Sequence, residues 1–144
     1  MEMEKIKSFL IDHDDHPIGF YFSSENEDIY TYDLRFKLPN GGDYLSVSAM
    51  HTVEHLFATA IRNSAVKKDV IYFGPMGCRT GFYLLLRGIE PEKAKALTLN
   101  AFKVCLTMDS IPGSKKKECG NYKSHNLAKA KEEISAYIKI LESK

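Results

Sequence analysis

Ile29-Tyr30-Thr31-Tyr32-Asp33-Leu34-Arg35-Phe36-Lys37-Leu38 is the stretch on which the fold turns. Tyr30, Tyr32, Leu34, Phe36 and Leu38 alternate with Thr31, Asp33, Arg35 and Lys37. That period of two belongs to a strand with one buried and one polar face. Pro39-Asn40-Gly41-Gly42 supplies the turn that ends it. Two shorter apolar runs, Val70–Phe73 and Phe82–Leu86, read as further strands joined by a glycine-rich loop over residues 74–81. Elsewhere the spacing is helical. Residues 48–63 predict a helix with Ser46 or Ser48 as its cap. Pro91 opens a second over about 91–106, with Ala94, Leu97, Ala101 and Val104 on one face. A third runs from about Asn126 to Leu141, with Leu127, Ala130, Ile134, Tyr137 and Leu141 inward. Strands and helices mix without a regular βαβ rhythm. The expected class is therefore α+β: an antiparallel β-sheet with helices packed on one face, in a single domain spanning residues 1–144.

The bulk composition narrows function mainly by exclusion. With 144 residues, 44% of them apolar, the chain can bury a core without disulfides. A net charge of +1 creates no field favouring nucleic acid or an anionic membrane, so neither is expected as a partner. Three cysteines, an odd and sparse count, argue for a reducing compartment. The acidic start Met1-Glu2-Met3-Glu4-Lys5 lacks the apolar core of a signal peptide, and no run approaches the roughly 20 apolar residues of a membrane span. The cytoplasm is the expected location.

His51-Thr52-Val53-Glu54-His55 carries the chemical signal. Helical residues at i and i+4 project side by side, so both imidazoles can reach one ion. Glu54 lies on the same face and can shuttle protons. Val53, Phe57, Ala60 and Ile61 fall on a separate arc for the core, and Ala58 leaves room beside the ligands. Two histidines need a further ligand, and Cys119, in the polar loop Glu118-Cys119-Gly120-Asn121-Tyr122, can supply a thiolate. Three protein ligands leave one position open, as in a catalytic site. Cys78 sits in the glycine-flanked loop and could act as base or nucleophile. Cys105, beside Phe102 and Leu106, reads as core. Arg35, on the polar side of its strand, could hold an anionic group or form a surface ion pair with Asp33.

Five blocks in order then resemble the S-ribosylhomocysteine lyase (LuxS) family. They are Ser8-Phe9-Leu10-Ile11-Asp12-His13, Tyr32-Asp33-Leu34-Arg35-Phe36 with Pro39-Asn40, and His51-Thr52-Val53-Glu54-His55-Leu56. Pro75-Met76-Gly77-Cys78-Arg79-Thr80-Gly81-Phe82-Tyr83 follows, and last comes Glu118-Cys119-Gly120-Asn121-Tyr122 with His125 and Leu127. The resemblance implies one divalent metal per subunit on His51, His55 and Cys119, natively Fe2+, with Zn2+ or Co2+ possible as isolated. It implies Glu54 and Cys78 as acid–base residues, and Ser8, His13 and Arg35 lining the pocket of a small-molecule substrate, S-ribosylhomocysteine. It further implies a homodimer with active sites at the interface, and cleavage to homocysteine and 4,5-dihydroxypentane-2,3-dione, the autoinducer-2 precursor of quorum sensing. Arg79, Tyr72, Thr31 and Asp14 depart from the family's usual Gln, acidic residue, Lys and Thr.

Two other classes fit parts of the pattern. H-x-x-E-H is also an inverzincin metallopeptidase signature, but those enzymes take a carboxylate as third ligand where this chain offers Cys119. A binding protein retaining the fold, with a structural metal or an altered ligand, would need neither Glu54 nor Cys78.

Overall fold

A computed structural model of the chain describes residues 3–5 and 17–143. Ser8, His13 and Asp14 lie outside the described residues. Four strands, β1 (Gly19–Asn26), β2 (Ile29–Arg35), β3 (Val70–Pro75) and β4 (Gly81–Arg87), form one antiparallel sheet in the order β1-β2-β4-β3. Three helices, α1 (Val47–Arg62), α2 (Pro91–Cys105) and α3 (Leu127–Glu142), complete an α+β domain. Each start is set by the local sequence. The Ser46 side chain accepts from the Ala49 amide, Pro91 occupies the first turn of α2, and Asn126 accepts from the Lys129 amide.

Central strands β2 and β4 supply the core floor: Tyr32, Leu34, Phe82, Leu84 and Leu86 are fully buried. Over them stands an aromatic cluster. Phe57 of α1 has its ring 4.3 Å from Phe73 of β3 and 4.5 Å from Phe102 of α2, and Phe36 stacks at 4.1 Å on Tyr137 of α3. The Tyr137 hydroxyl donates to the Gly19 carbonyl, tying α3 to β1. The apolar arc of α1 predicted from spacing is the buried one, and Cys105 is in the core as expected.

Several expectations need correction. β2 ends at Arg35, because the Phe36 and Lys37 amides both turn to the Thr80 carbonyl, and Leu38 is then exposed. On α2 the inward stripe is Ala94, Thr98, Ala101, Phe102 and Cys105; Val104 faces out. Asp33 and Arg35 are buried, so their pairing exists but not at the surface. Strand β1 was not read from the sequence. It joins β2 through Glu27 and Asp28, both at positive φ, the backbone of a tight two-residue hairpin.

Two core groups carry a pH signature. Burial pushes the Cys105 thiol up to about 12 and, first among its causes, the Tyr32 phenol up to about 12. Both bind their proton more tightly in the folded chain. Their stabilisation is therefore fully present below the unfolded values, roughly 8.5 and 10, and is lost as pH climbs towards the folded ones. The urea midpoint should hold steady between pH 7 and 8 and fall progressively above about pH 9. A midpoint unchanged to pH 11 would contradict the burial of these groups.

Candidate metal centre

Helix α1 turns its apolar arc to the core and His51, Glu54 and His55 away from it. The imidazole Nε2 atoms of His51 and His55 stand 3.1 Å apart. What points them inward is the loop before α3. His51 Nδ1 lies 2.7 Å from the Ser124 carbonyl and His55 Nδ1 lies 3.0 Å from that of Pro112. A carbonyl only accepts, so each Nδ1 carries the proton and each Nε2 presents a lone pair. Gly113, at φ +68°, permits this contact; a Cβ there would sit 3.3 Å from His55 Nδ1.

Cys119 completes a triangle. Its Sγ is 3.4 Å from His51 Nε2 and 3.8 Å from His55 Nε2, held by a turn in which its amide donates to the Lys115 carbonyl. Sequence reasoning gave His125 no role, yet it joins the cluster. Its Nε2 is 3.9 Å from Cys119 Sγ and its ring stacks on His51 at 4.0 Å. Buried Thr52 holds it. The Thr52 hydroxyl donates to the Ser48 carbonyl, so it accepts from the Asn126 amide and from His125 Nδ1, both 2.9 Å away. The Nε2 lone pair of His125 therefore also faces the cluster, and all four donor atoms lie within 4.8 Å of one another. Thr52, inside the helix motif, and the histidine six residues beyond Cys119 were the available signals.

The donor set fits a divalent ion. Facing lone pairs at 3.1 Å repel unless a cation lies between them. A proton bridges two atoms, not a triangle. A tetrahedral zinc would set N···N near 3.3 Å and N···S near 3.5 Å by simple geometry, close to the three edges found. Burial first, then His51 and His55, lower the His125 pKa, so the ring is disposed to stay neutral and adds no positive charge beside an ion.

The chain's other chemical group is on the β3–β4 turn. Cys78 is exposed, on a cavity of about 190 Å³ lined by Pro39, Asn40, Tyr44, Cys78 and Thr80. No cluster residue lines it. The turn closes through Met76 to Gly81 and Arg79 to Met76 main-chain bonds, with Arg79 at φ +61°. Gly81 is required, since a Cβ would meet the Leu34 carbonyl at about 2.2 Å. Arg79 swings away, donating to the Leu45 carbonyl with its guanidinium 5.9 Å from the Tyr44 ring. Arg35 is 1% exposed and bonded to Asp33 and Thr80, so its guanidinium is not open to the cavity. Glu54 is half-buried, with no hydrogen bond or ion pair to another described residue.

The family model for S-ribosylhomocysteinase (LuxS) matches residues 6–144. The chain belongs to this family. It is 45% identical to an S-ribosylhomocysteine lyase of Borreliella burgdorferi strain ZS7 over 96% of this chain and 93% of that protein. It is 44% identical to one from Desulfotalea psychrophila over 94% and 90%, and 41% identical to one from Finegoldia magna over 96% and 92%.

Thr52→Val keeps the shape of the helix but removes the anchor of His125 and of the Asn126 amide. Competition against a chromophoric chelator should show zinc affinity lowered by about 10- to 100-fold, because the loop whose Ser124 carbonyl orients His51 loses its tie to α1. Wild-type affinity in this variant would contradict the role given to Thr52.

Proposed function

We propose that this protein is an S-ribosylhomocysteine lyase, cleaving its substrate to homocysteine and 4,5-dihydroxypentane-2,3-dione. The observation that carries the reading is the convergence of His51, His55 and Cys119, with Glu54 on the same helix face and Cys78 on the wall of a cavity. Membership of the family and the names of its relatives support the substrate.

His51, His55 and Cys119 would hold one divalent ion per chain, natively Fe2+, with Zn2+ or Co2+ able to take its place; imidazole and thiolate suit all three. When bound it supplies a Lewis acid that polarises the substrate carbonyl and stabilises the enediolate. Proton movement belongs to the chain. Cys78 and Glu54 take a proton from the carbon next to the carbonyl and return it to the neighbouring carbon, passing hydroxyl protons the other way. Two such rounds carry the carbonyl from C1 to C2 and then to C3. Removal of one more proton expels the homocysteine thiolate, with no net redox change. Ser8, His13 and Arg35 belong to the substrate pocket, Arg35 acting from behind its wall through Thr80.

Two copies pair with the pocket at their boundary. In support, the described walls of the Cys78 cavity contain no metal-directed residue. No helix among the described residues is long and apolar enough to cross a membrane. The cysteines are unpaired, in keeping with a cytoplasmic enzyme whose product feeds autoinducer synthesis.

Thiol release from S-ribosylhomocysteine, followed with a disulfide reagent, tests the reading. Glu54→Gln and Cys78→Ala should keep metal and lose about 10²- to 10⁴-fold in turnover. Cys119→Ala should lose metal and activity together. Near-normal turnover in Cys78→Ala would overturn the mechanism and favour a binding protein. Sedimentation should read a dimer at micromolar concentration, and a fully active monomer would refute the pairing.

A further inference from the structure

Arg35 and Asp33 form an ion pair in which both side chains are 1% exposed. Arg35 Nε and Nη2 donate to the two carboxylate oxygens of Asp33, which fixes the plane of the guanidinium. The remaining Nη1 then points at Thr80 Oγ1, 2.7 Å away. Guanidinium has donors only, so Thr80 is forced to accept. The Thr80 hydroxyl keeps one proton to give. Thr80 is itself 1% exposed, and a buried hydroxyl proton needs an acceptor. Among the described residues, Cys78 Sγ, 3.0 Å from Oγ1, is the acceptor present. The opposite direction, thiol to hydroxyl, would leave the Thr80 proton without a partner among the described residues.

We propose that Thr80 is a positioning residue for Cys78: pinned as an acceptor by Arg35, it donates its hydroxyl proton to Sγ and so favours the thiolate. This rests on the reading of Cys78 as an acid–base residue. The effect reaches Cys78 through a hydrogen bond, because Asp33 already neutralises the guanidinium. Among the described residues, the other charged groups nearby are engaged elsewhere. Arg79 is turned to the Leu45 carbonyl and the Tyr44 ring, and the Lys37 ammonium is held by Asp43 and Glu133. Tyr44 lines the same cavity. Thr80 never gives up its proton. It lends a hydrogen bond that is strong to the thiolate and weak to the thiol.

The test is the pH dependence of Cys78 alkylation by iodoacetamide in the full-length, zinc-loaded protein. Peptide mass spectrometry separates Cys78 from Cys105 and Cys119. Thr80→Val keeps the side-chain shape and leaves the main-chain bonds from Phe36 and Lys37 to the Thr80 carbonyl in place. In this variant the pH of half-maximal rate should rise by about one unit, with a rate at pH 7 about tenfold lower. Thr80→Ser should keep the wild-type profile. An unshifted profile in Thr80→Val, or a shift in Thr80→Ser as large as in Thr80→Val, would overturn the proposal. If Thr80→Val does not fold, Thr80→Ala carries the same comparison. Lyase turnover is not the readout. A Thr80-dependent profile without lyase activity would sink the functional reading and leave this one standing; the reverse result would do the opposite.

Discussion

Two hydrogen bonds, His51 Nδ1 to the Ser124 carbonyl and His55 Nδ1 to the Pro112 carbonyl, organise the site that the rest of the fold presents. Each fixes a tautomer and turns a lone pair towards Cys119. Each also binds the 112–124 loop to α1. Their net worth is modest, about 1 kcal/mol apiece. The helix that carries the histidines is held far more strongly. Val53, Leu56, Phe57 and Ile61 are fully buried, at about 1.5–3 kcal/mol for each large side chain. Packing therefore fixes the helix that carries the two imidazoles, and the loop with Cys119 and His125 is the adaptable half. An ion held between them would lock that half down, which couples metal retention to loop order.

The buried Asp33–Arg35 pair shows a second division of labour. A buried ion pair is a poor source of stability, because desolvating two charges offsets most of their attraction. Here it occupies the face of β2 opposite Tyr32 and Leu34, a face that a half-buried strand would leave polar. Its value lies in geometry: one carboxylate holds the guanidinium so that its third nitrogen meets Thr80, next to Cys78. The two chemical centres are thus built on different supports, one on a helix packed against the aromatic core, the other on a strand end and a tight turn.

Much of this was legible in the sequence, and the exceptions have physical causes. The apolar arc of α1 and the i, i+4 histidines were readable because both follow helix periodicity alone. β1 was missed because Gly-Phe-Tyr-Phe-Ser-Ser-Glu-Asn does not alternate cleanly, and a register shift between Phe22 and Ser24 breaks the period. Val104 was placed inward by extending a three-residue spacing that drifts off the helix face; Cys105 holds that position instead. Arg35 looked polar and exposed because period two says which side a residue is on, not what covers it. His125 and Thr52 were passed over since their roles arise only when a loop distant in sequence folds back onto α1.

Metal analysis combined with X-ray absorption at the metal edge, on protein purified without chelator and without added metal, tests the central claim most directly. The account predicts one divalent ion per chain, with imidazole nitrogens and one sulfur in its inner shell. Sulfur should fall near 2.3 Å and nitrogen near 2.0 Å when the ion is zinc. An ion without a sulfur neighbour, or protein that retains no stoichiometric metal, would contradict it.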